Sequence, residues 1–346
     1  MKKKILILSS DNYIRSNIFN DYLKKKYSLQ FFNYSGSKIY KNLKLFKILF
    51  LEYDLIFIHW NSWSSFFVLK LINLFKNKPI VYDSYTLIYE DYLDNDKKYN
   101  SFLDFFYKKI EIFILNNCDG ILTDTQSHKK KILKLVDFKK KVEAFEVSQK
   151  NLRPVIRINK EKKINLVHAG ANRKAHNITK MINLVNKLPS YIKKRAYFTI
   201  VTKDYFHKYK NMIEKFNCKK NINLINDLSF KEYLKIIKNS DICMGMFGQT
   251  EKTHNTISNF IVTAANFGKI IITGNTRSAR YYLNNNKGIF LLKKPDQSNF
   301  VKIITKYATS IKFRRSINGQ SKKTFNKYFD IKKNLIKLDL FFDQII

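Results

Sequence analysis

Short apolar segments alternate with longer amphipathic segments along the first half of the chain. The short segments have the length of strands and are bounded by polar residues; they occupy 4–8, 29–32, 55–59, 80–83 and 120–124. Segments of helix length lie between them, including 14–26, 64–76 and 101–116. Short apolar strands separated by amphipathic helices are typical of a parallel sheet with helices on both faces. The pattern therefore predicts an α/β domain with a doubly wound sheet.

A polar, lysine-rich stretch at 146–163, which contains Pro154, interrupts this pattern. Beyond it the alternation resumes, with strand-like segments at 164–170, 197–201, 222–225, 241–244, 269–273 and 288–292. A chain of 346 residues is long enough for two domains of about 150 residues, each with its own core. We therefore predict two Rossmann-like domains, at 1–155 and 160–321, that face each other across a cleft.

Composition narrows the class of protein. Hydrophobic residues make up 45% of the chain and aromatic residues 15%, which favours packed globular structure over disorder. The three cysteines show no metal-ligand spacing and are too few for a disulfide framework, so we expect a cytoplasmic environment. No apolar stretch reaches the roughly 18 residues of a membrane-spanning helix. The first apolar run ends at Leu8, which predicts a strand rather than a signal peptide.

The formal net charge of +38 raises the question of an anionic partner. Lysine and arginine attract phosphate backbones at low salt, so nucleic acid is one candidate. The basic residues are scattered along the whole chain, however, and no nucleic-acid motif is present. Two other interpretations stay open: a coding bias towards lysine, asparagine and isoleucine, and a weak peripheral attraction to anionic lipid at a cytoplasmic membrane face. We favour these two over specific nucleic-acid binding.

The stretch 240–283 carries the clearest functional pattern. It predicts a buried strand, a loop that contains Lys252, a helix at 257–267 and a second strand. Ser258 fits the N-cap of this helix and Gly268 its C-terminal end. A helix N-terminus that follows a buried parallel strand offers N–H groups and a positive dipole end to an anion. This is the outline of a nucleotide-diphosphate site.

The motifs of this stretch follow one another in a fixed order: Phe247-Gly248, Thr250-Glu251-Lys252, the segment 257–260, Ala264-Ala265, Gly268, the strand 269–273 and Ala279-Arg280. This order resembles the C-terminal half of the family-4 nucleotide-sugar glycosyltransferases, the glycosyl transferases group 1 of GT-B fold. The segments 79–83, 87–90 and 118–125 resemble the N-terminal domain of the same family, so the resemblance covers most of the chain.

This resemblance implies a GT-B fold, in which the first domain binds the acceptor and the second the nucleotide sugar. It implies that a terminal helix at 322–346 packs back on the first domain. The implied reaction moves a sugar from a nucleotide-diphosphate sugar to a glycan or lipid-linked acceptor in cell-surface polysaccharide synthesis. We expect retention of configuration and no metal or other cofactor.

Donor-binding residues are expected in the loops that follow the strands of the second domain. A leaving nucleoside diphosphate gains negative charge, and positioned cations stabilise that charge most in the transition state. Lys252 and Arg173 are therefore the candidate catalytic cations. The resemblance gives a wider donor-binding set, which comprises Gly170, Arg173, Lys174, His176, Gly248, Lys252, Asn255, Ser258, Asn259 and Thr263.

Three positions depart from the family pattern. Asn255 and Thr263 stand where the family has two glutamates, and Phe260 stands where the resembling subgroup has a second lysine. In the family the first glutamate contacts the donor sugar and the second the ribose. The departures motivate an alternative function, a catalytically degenerate protein that binds a nucleotide sugar or a glycan.

Acceptor-side candidates follow three strands of the first domain: Ser10, Asn12, His59, Trp60, Asn61 and Asp83. A tryptophan beside a histidine and an amide suits stacking on a sugar ring and bonding to its hydroxyls. The alternative is that Trp60 and Trp63 pack under the next helix. Asp83 ends an apolar strand, so its carboxylate is expected either to orient the acceptor hydroxyl as a catalytic residue or to cap the following turn.

Asp94-Asn95-Asp96 has the Asp-x-Asp spacing that binds a divalent metal in glycosyltransferases of the other common fold. Metal-dependent transfer needs this pair directly after a buried strand, with further oxygen ligands in place. Here the pair falls in a polar stretch at 92–100, which predicts a solvated loop. We therefore predict no metal site.

Overall fold

The computed structural model describes residues 2–9, 14–32, 38–95, 100–137, 139–155, 163–171, 173–202, 206–215, 219–284, 286–293 and 297–346. Ser10, Asn12 and Asp96 lie outside the described residues. The contacts divide the chain into two compact units. The first comprises Met1–Leu93, Lys98–Ser148 and Lys332–Ile346, and the second comprises Asp94–Lys97 and Gln149–Ile331.

The first unit contains a six-stranded parallel sheet in the order β2-β1-β3-β4-β5-β6. Its strands are β1 (Lys4–Leu8), β2 (Ser28–Phe32), β3 (Leu55–His59), β4 (Ile80–Ser84), β5 (Gly120–Thr123) and β6 (Lys141–Ala144). Its helices before the second unit are α1 (Ile14–Lys26), α2 (Lys38–Leu45), α3 (Phe66–Lys76), α4 (Ile88–Asp94), α5 (Ser101–Asn116) and α6 (Gln126–Ile132). Two short 3₁₀ segments, Phe46–Phe50 and Trp60–Ser65, precede β3 and α3. The doubly wound sheet predicted from the sequence is confirmed, with β6 as an additional edge strand.

Alternate residues of the strands enter two separate cores, one on each face of this sheet. On one face Leu6, Ile56 and Ile80 pack with residues of α3 and α5. On the other face Ile5 and Phe57 pack with α1. This period of two, with both faces apolar, is what a parallel sheet between helix layers requires.

The second unit contains another six-stranded parallel sheet, in the order β12-β11-β10-β7-β8-β9. Its strands are β7 (Ile164–Ala169), β8 (Ala196–Val201), β9 (Ile222–Ile225), β10 (Ile242–Met244), β11 (Ile270–Gly274) and β12 (Ile289–Leu292). Its helices are α7 (Ile178–Asn186), α8 (Ser190–Lys193), α9 (Phe206–Glu214), α10 (Phe230–Asn239), α11 (Glu251–Asn255), α12 (Asn259–Asn266), α13 (Arg277–Leu283), α14 (Gln297–Thr309), α15 (Ile311–Ile317) and α16 (Ser321–Tyr328). The strand order reverses between β7 and β10, because the chain runs outwards from β7 first through β8 and later through β10.

The tail expected as one helix over 322–346 forms two helices, α16 and α17 (Ile331–Asp343). The break lies at Asp330, which pairs with Gln149 in an isolated bridge. Residues from Lys332 onwards group with the first unit, where Leu338 and Phe342 join the core beside Phe57. Among the helices of the described residues, none combines the length and the apolar character needed to cross a membrane.

Candidate functional site

The loops that follow β7 and β10 lie side by side at the point where the strand order of the second sheet reverses. Open α/β sheets bind ligands in this position, outside the carboxyl ends of the strands. The backbone N–H of Gly248 donates to the carbonyl of Ala175 at 2.9 Å, and that of Phe247 donates to the carbonyl of His176 at 3.2 Å. Two segments that are distant in sequence therefore form one loop structure.

Two glycines make this close approach possible. A Cβ at Gly248 would meet the backbone of Lys174 and Ala175, and a Cβ at Gly170 would meet the imidazole ring of His176. Both glycines are therefore needed for backbone and ring packing, whether or not they also touch a ligand.

Lys252 lies in the short helix α11, where the sequence had predicted a loop. Thr250 caps this helix by accepting a hydrogen bond from the backbone N–H of Thr253, a pattern that the Thr250 to Thr253 spacing encodes locally. The ammonium Nζ of Lys252 lies 3.9 Å from Oδ2 of Asp94, and the Lys252 side chain is 19% exposed.

Asp94 is the last residue of α4, groups with the second unit and is fully buried. Its Oδ1 accepts hydrogen bonds from the backbone N–H of Ala175 at 2.8 Å and from the hydroxyl of Thr250 at 3.1 Å. Burial raises the pKa of this carboxyl, and the positive charge of Lys252 opposes the rise. The carboxylate therefore lies among hydrogen-bond donors and a cation.

This position corrects the expectation of a solvated loop at 92–100. The reason is that Asp94 accepts from donors 81 and 156 residues away in sequence, and local polarity does not encode such pairings. Donors and a lysine ammonium are not the surroundings of a metal ligand, because a hard cation requires several oxygen ligands. Over the described residues, no group of three or more histidine, cysteine, aspartate or glutamate side chains is placed to hold a metal ion.

The positively charged side chains of the site, Lys252 and Arg173, lie near His176. Burial and then the nearby His168, Lys252 and Arg173 hold the pKa of His176 well below its usual range. His168 donates a hydrogen bond from Nδ1 to the carbonyl of Met244 at 2.7 Å, and burial lowers its pKa to about 4. Both imidazoles are therefore neutral near pH 7, and the cations of the site are lysine and arginine.

The remaining basic candidate, Lys174, is exposed, whereas Arg173 is half-buried. At α12, Ser258 caps the helix by accepting from the backbone N–H of Ile261 at 3.3 Å, as predicted. Asn259 is exposed in the first turn. Gly268 follows the helix with a φ of 71°, a conformation that favours glycine.

The first departure from the family pattern, Asn255, is buried and accepts hydrogen bonds from two residues of α13. Its Oδ1 accepts from Nη2 of Arg277 at 3.0 Å, and the same nitrogen donates to Glu251 at 2.7 Å. Ser278 also donates to the backbone carbonyl of Asn255. The sequence did not point to Arg277, whose only local signal is its position in the first turn of α13.

The other two departures are committed to internal contacts. Thr263 donates to the carbonyl of Asn259 at 2.9 Å and accepts from the side-chain amide of Gln149 at 2.8 Å. Phe260 is 3% exposed and lies edge-on to the rings of His168 and Tyr233. Both side chains are therefore used in contacts within the second unit.

In the first unit, Asp83 is 2% exposed and forms an ion pair with Arg15. The guanidinium donates from Nη2 to Oδ1 at 2.8 Å and from Nε to both carboxylate oxygens. Burial by itself would raise the pKa of Asp83, but Arg15 and His59 bring it below its usual range. The structure thus gives Asp83 an ionic partner that the sequence did not indicate, and its expected roles, bonding to an acceptor or capping a turn, stay predictions.

Of the other acceptor-side candidates within the described residues, His59 lies beside this pair, with its Nδ1 4.0 Å from Oδ2 of Asp83. His59 is buried between the rings of Phe19 and Phe57. Trp60 and Asn61 are half-buried in the 3₁₀ segment after β3.

A buried charge cluster at the end of β5 was not assigned from the sequence. His128 contacts Asp124 through Nδ1, and its Nε2 lies 2.9 Å from a carboxylate oxygen of Glu90. Lys131 donates to the other oxygen of Glu90 at 2.7 Å. The spacing of Asp124 and His128, four residues apart at a helix start, is the local signal that could have indicated it.

Comparison with known proteins agrees with these features. The model of the family described as glycosyl transferases group 1 matches residues 148–324. No curated protein sequence matches the chain.

Solved structures match over nearly the whole chain. Sucrose-phosphate synthase from Thermosynechococcus elongatus is 10% identical, with a TM-score of 0.75 and coverage of 99% of both chains. Anabaena Alr3699/HepE in complex with UDP and glucose is 11% identical, with a TM-score of 0.76 and coverage of 99% of this chain and 100% of that one. The apo lipopolysaccharide outer core galactosyltransferase WaaB is 11% identical, with a TM-score of 0.68 and coverage of 97% and 99%. The fold is GT-B.

Proposed function

Because this chain belongs to the glycosyl transferases group 1 family, we propose that its second unit binds the diphosphate of a nucleotide sugar at the loops after β7 and β10. The observation that carries the proposal is that these loops meet at the reversal of strand order. Lys252 and Arg173 lie close enough to His176 for their positive charges to lower its pKa. The motif order of the chain supports a place in the family-4 subgroup.

The proposed reaction transfers the sugar with retention of configuration and without a metal. As the bond to the sugar breaks, negative charge grows on the leaving diphosphate, and Lys252 with Arg173 or Lys174 stabilises it. His176 is neutral near pH 7, so it contributes a hydrogen-bonding group rather than a charge. The leaving phosphate takes the proton of the acceptor hydroxyl, as the family resemblance implies for a retaining reaction.

We further propose a glycan or lipid-linked acceptor of surface-polysaccharide synthesis, bound by the first unit. The HepE structure holds UDP and glucose, which makes uracil the first nucleotide base to test in this protein.

Calorimetric titration at physiological salt with UDP, GDP and their common sugar conjugates tests the donor site. Lys252→Ala is expected to weaken binding by about 1.5–3 kcal/mol, the range for hydrogen bonds to charged groups. The control is Lys231→Ala, an exposed lysine at the start of α10, which changes the net charge equally. Unchanged affinity in Lys252→Ala, or equal losses in both variants, would remove Lys252 from the site.

The internal contacts of Asn255, Thr263 and Phe260 favour one competing function, a nucleotide-sugar-binding protein without turnover. Release of free nucleotide in the presence of membrane extract separates the two. Saturable binding with no release from any conjugate supports the binding protein, and catalytic release supports the transferase. A short duplex DNA in the same titration tests whether net charge alone produces binding.

A further inference from the structure

Three helical segments cover one face of the sheet in the first unit, and their outer sides are apolar. The segments are α2 with its following 3₁₀ turn, α3 and α5. Their inner residues, such as Ile48, Leu69 and Ile114, are buried in the core. Amphipathic helices of this kind normally expose polar residues on the side away from the core.

Here the outer side carries most of the exposed large apolar side chains of the described residues, thirteen of twenty-two. We call these thirteen the aromatic face: Leu43, Phe46, Phe50, Phe67, Leu71, Leu74, Phe75, Phe102, Leu103, Phe105, Phe106, Ile112 and Phe113. Phe75 is 82% exposed and Phe50 is 87% exposed. Contiguous apolar surface on this scale marks an interaction site.

The aromatic face is continuous across the helices. The rings of Phe67 on α3 and Phe113 on α5 stack with centroids 4.8 Å apart and planes 8° apart. On the other side, α3 packs against the 3₁₀ turn that carries Phe46 and Phe50. The three segments therefore present one surface.

The exposed charge of these segments is entirely positive within 42–50, 66–76 and 101–116. Lys47, Lys108 and Lys109 are exposed, and Lys44, Lys70 and Lys76 are half-buried. The two carboxylates, Asp104 and Glu111, are 8% and 3% exposed. Asp104 pairs with Lys108 at 3.1 Å, and Glu111 accepts from the backbone N–H of Ile88. The exposed carboxylate of Glu52 lies next to these segments, and it pairs with Lys4 at 2.9 Å. The net charge beside the apolar side chains is therefore still positive.

We propose that the aromatic face docks the protein on an anionic phospholipid surface. Aromatic and leucine side chains enter the boundary between headgroups and acyl chains, while lysines bind the headgroup phosphates and keep their ammonium groups in the wet layer. The charge favours lipid over a protein partner, because a bilayer presents anionic groups above apolar chains across the whole face. The inference does not depend on the donor site, since docking needs no nucleotide.

Co-sedimentation of the full chain with vesicles tests the proposal, without nucleotide and at physiological salt. One vesicle set is phosphatidylcholine alone, and the other contains added phosphatidylglycerol. We expect binding to the anionic set, and a fall of about tenfold or more in the double variant Leu74→Ser, Phe75→Ser, which removes two insertable side chains. The control, Phe230→Ser with Tyr281→Ser, removes exposed aromatic side chains of the second unit and is expected to bind like the wild type.

A second variant pair separates local charge from net charge. Lys47→Glu with Lys109→Glu changes the exposed charge of the aromatic face, and Lys231→Glu with Lys312→Glu makes the same change at exposed positions of the second unit. We expect the first pair to lose binding to anionic vesicles and the second to keep it. Equal losses in both pairs would show attraction by net charge alone and overturn the proposal.

Two other results would also overturn it. One is wild-type binding in the Leu74→Ser, Phe75→Ser variant and in Phe50→Ser, a single change on a separate segment. The other is a wild-type dimer, seen by light scattering, that these variants dissociate while vesicles bind neither form. That result would make a second copy of the chain the occupant. All the substituted side chains are exposed, so thermal unfolding is expected to stay within a few degrees of the wild type, roughly the range for surface substitutions.

Discussion

The ammonium of Lys252 faces the carboxylate of Asp94 at 3.9 Å, inside the loop structure that we assign to the donor diphosphate. The other Asp94 oxygen accepts from a backbone N–H and from the Thr250 hydroxyl. A phosphate would use donors of the same kinds. Without a nucleotide, therefore, the buried carboxylate of Asp94 partly neutralises Lys252, the cation that we assign to the diphosphate.

Asp94→Asn is expected to tighten nucleotide-diphosphate binding. The amide keeps an oxygen that can accept from Ala175 and Thr250, but it removes the negative charge that competes with the ligand for Lys252. We expect a fall in Kd of about fivefold, which corresponds to about 1 kcal/mol. Calorimetry with UDP measures it, and Asp227→Asn, at an exposed position, controls for the change in net charge. Weaker binding in Asp94→Asn would mean that the carboxylate supports the loops and does not compete.

Local signals in the sequence located the two ends of α12 and the loop after β7. Ser258 and Gly268 marked the two ends of α12 because capping chemistry depends on neighbouring residues. The apolar strand β7 placed Gly170 at the carboxyl edge of its sheet because parallel strands alternating with helices share one direction.

Local signals could not predict the ion pairs and hydrogen bonds of the buried charged residues, because their partners are far apart in sequence. Arg15 and Asp83 pair across 68 residues, and the position of each in sequence gives no indication of the other. The edge strand β6 was missed because it has only four residues and alternates buried with half-buried positions. A short half-polar segment does not carry enough periodicity to separate it from a loop.

Gly170→Ala is expected to weaken UDP binding, and the usual cost of overpacking in folding free energy, about 1–3 kcal/mol, sets the upper size of the loss. The added Cβ would push the His176 ring out of its place. His176→Ala removes that ring, so Gly170→Ala should cost nothing further in this background. Calorimetry on the wild type, both single variants and the double variant measures the coupling. Additive losses would show that Gly170 acts independently of His176.

Asp83→Asn is expected to destabilise the first unit by about 3–5 kcal/mol, because it leaves the guanidinium of Arg15 without its ionic partner. Both tryptophans, Trp60 and Trp63, lie in this unit, so their fluorescence during urea unfolding reports on it. Asp339→Asn, whose carboxylate is 40% exposed beside Lys26, is expected to change stability by no more than about 0.5 kcal/mol. Wild-type stability in Asp83→Asn, together with a large fall in transfer rate, would instead identify Asp83 as a catalytic residue.

The buried cluster around His128 predicts a stability that depends on pH. Burial by itself would lower the pKa of His128, but the carboxylates of Asp124 and Glu90 raise it to about 10 in the folded protein, from 6.5. A raised pKa stabilises the fold fully below about pH 6.5, and this contribution is lost as the pH rises towards 10.

His128→Gln is therefore expected to cost about 3–5 kcal/mol of unfolding free energy near pH 6, since it leaves buried carboxylates without their cation. The difference from the wild type should shrink near pH 9. Urea unfolding followed by tryptophan fluorescence at the two pH values measures it, with His207→Gln, exposed in the second unit, as the control. A difference of equal size at both pH values would show that the imidazole acts by packing and not by its charge.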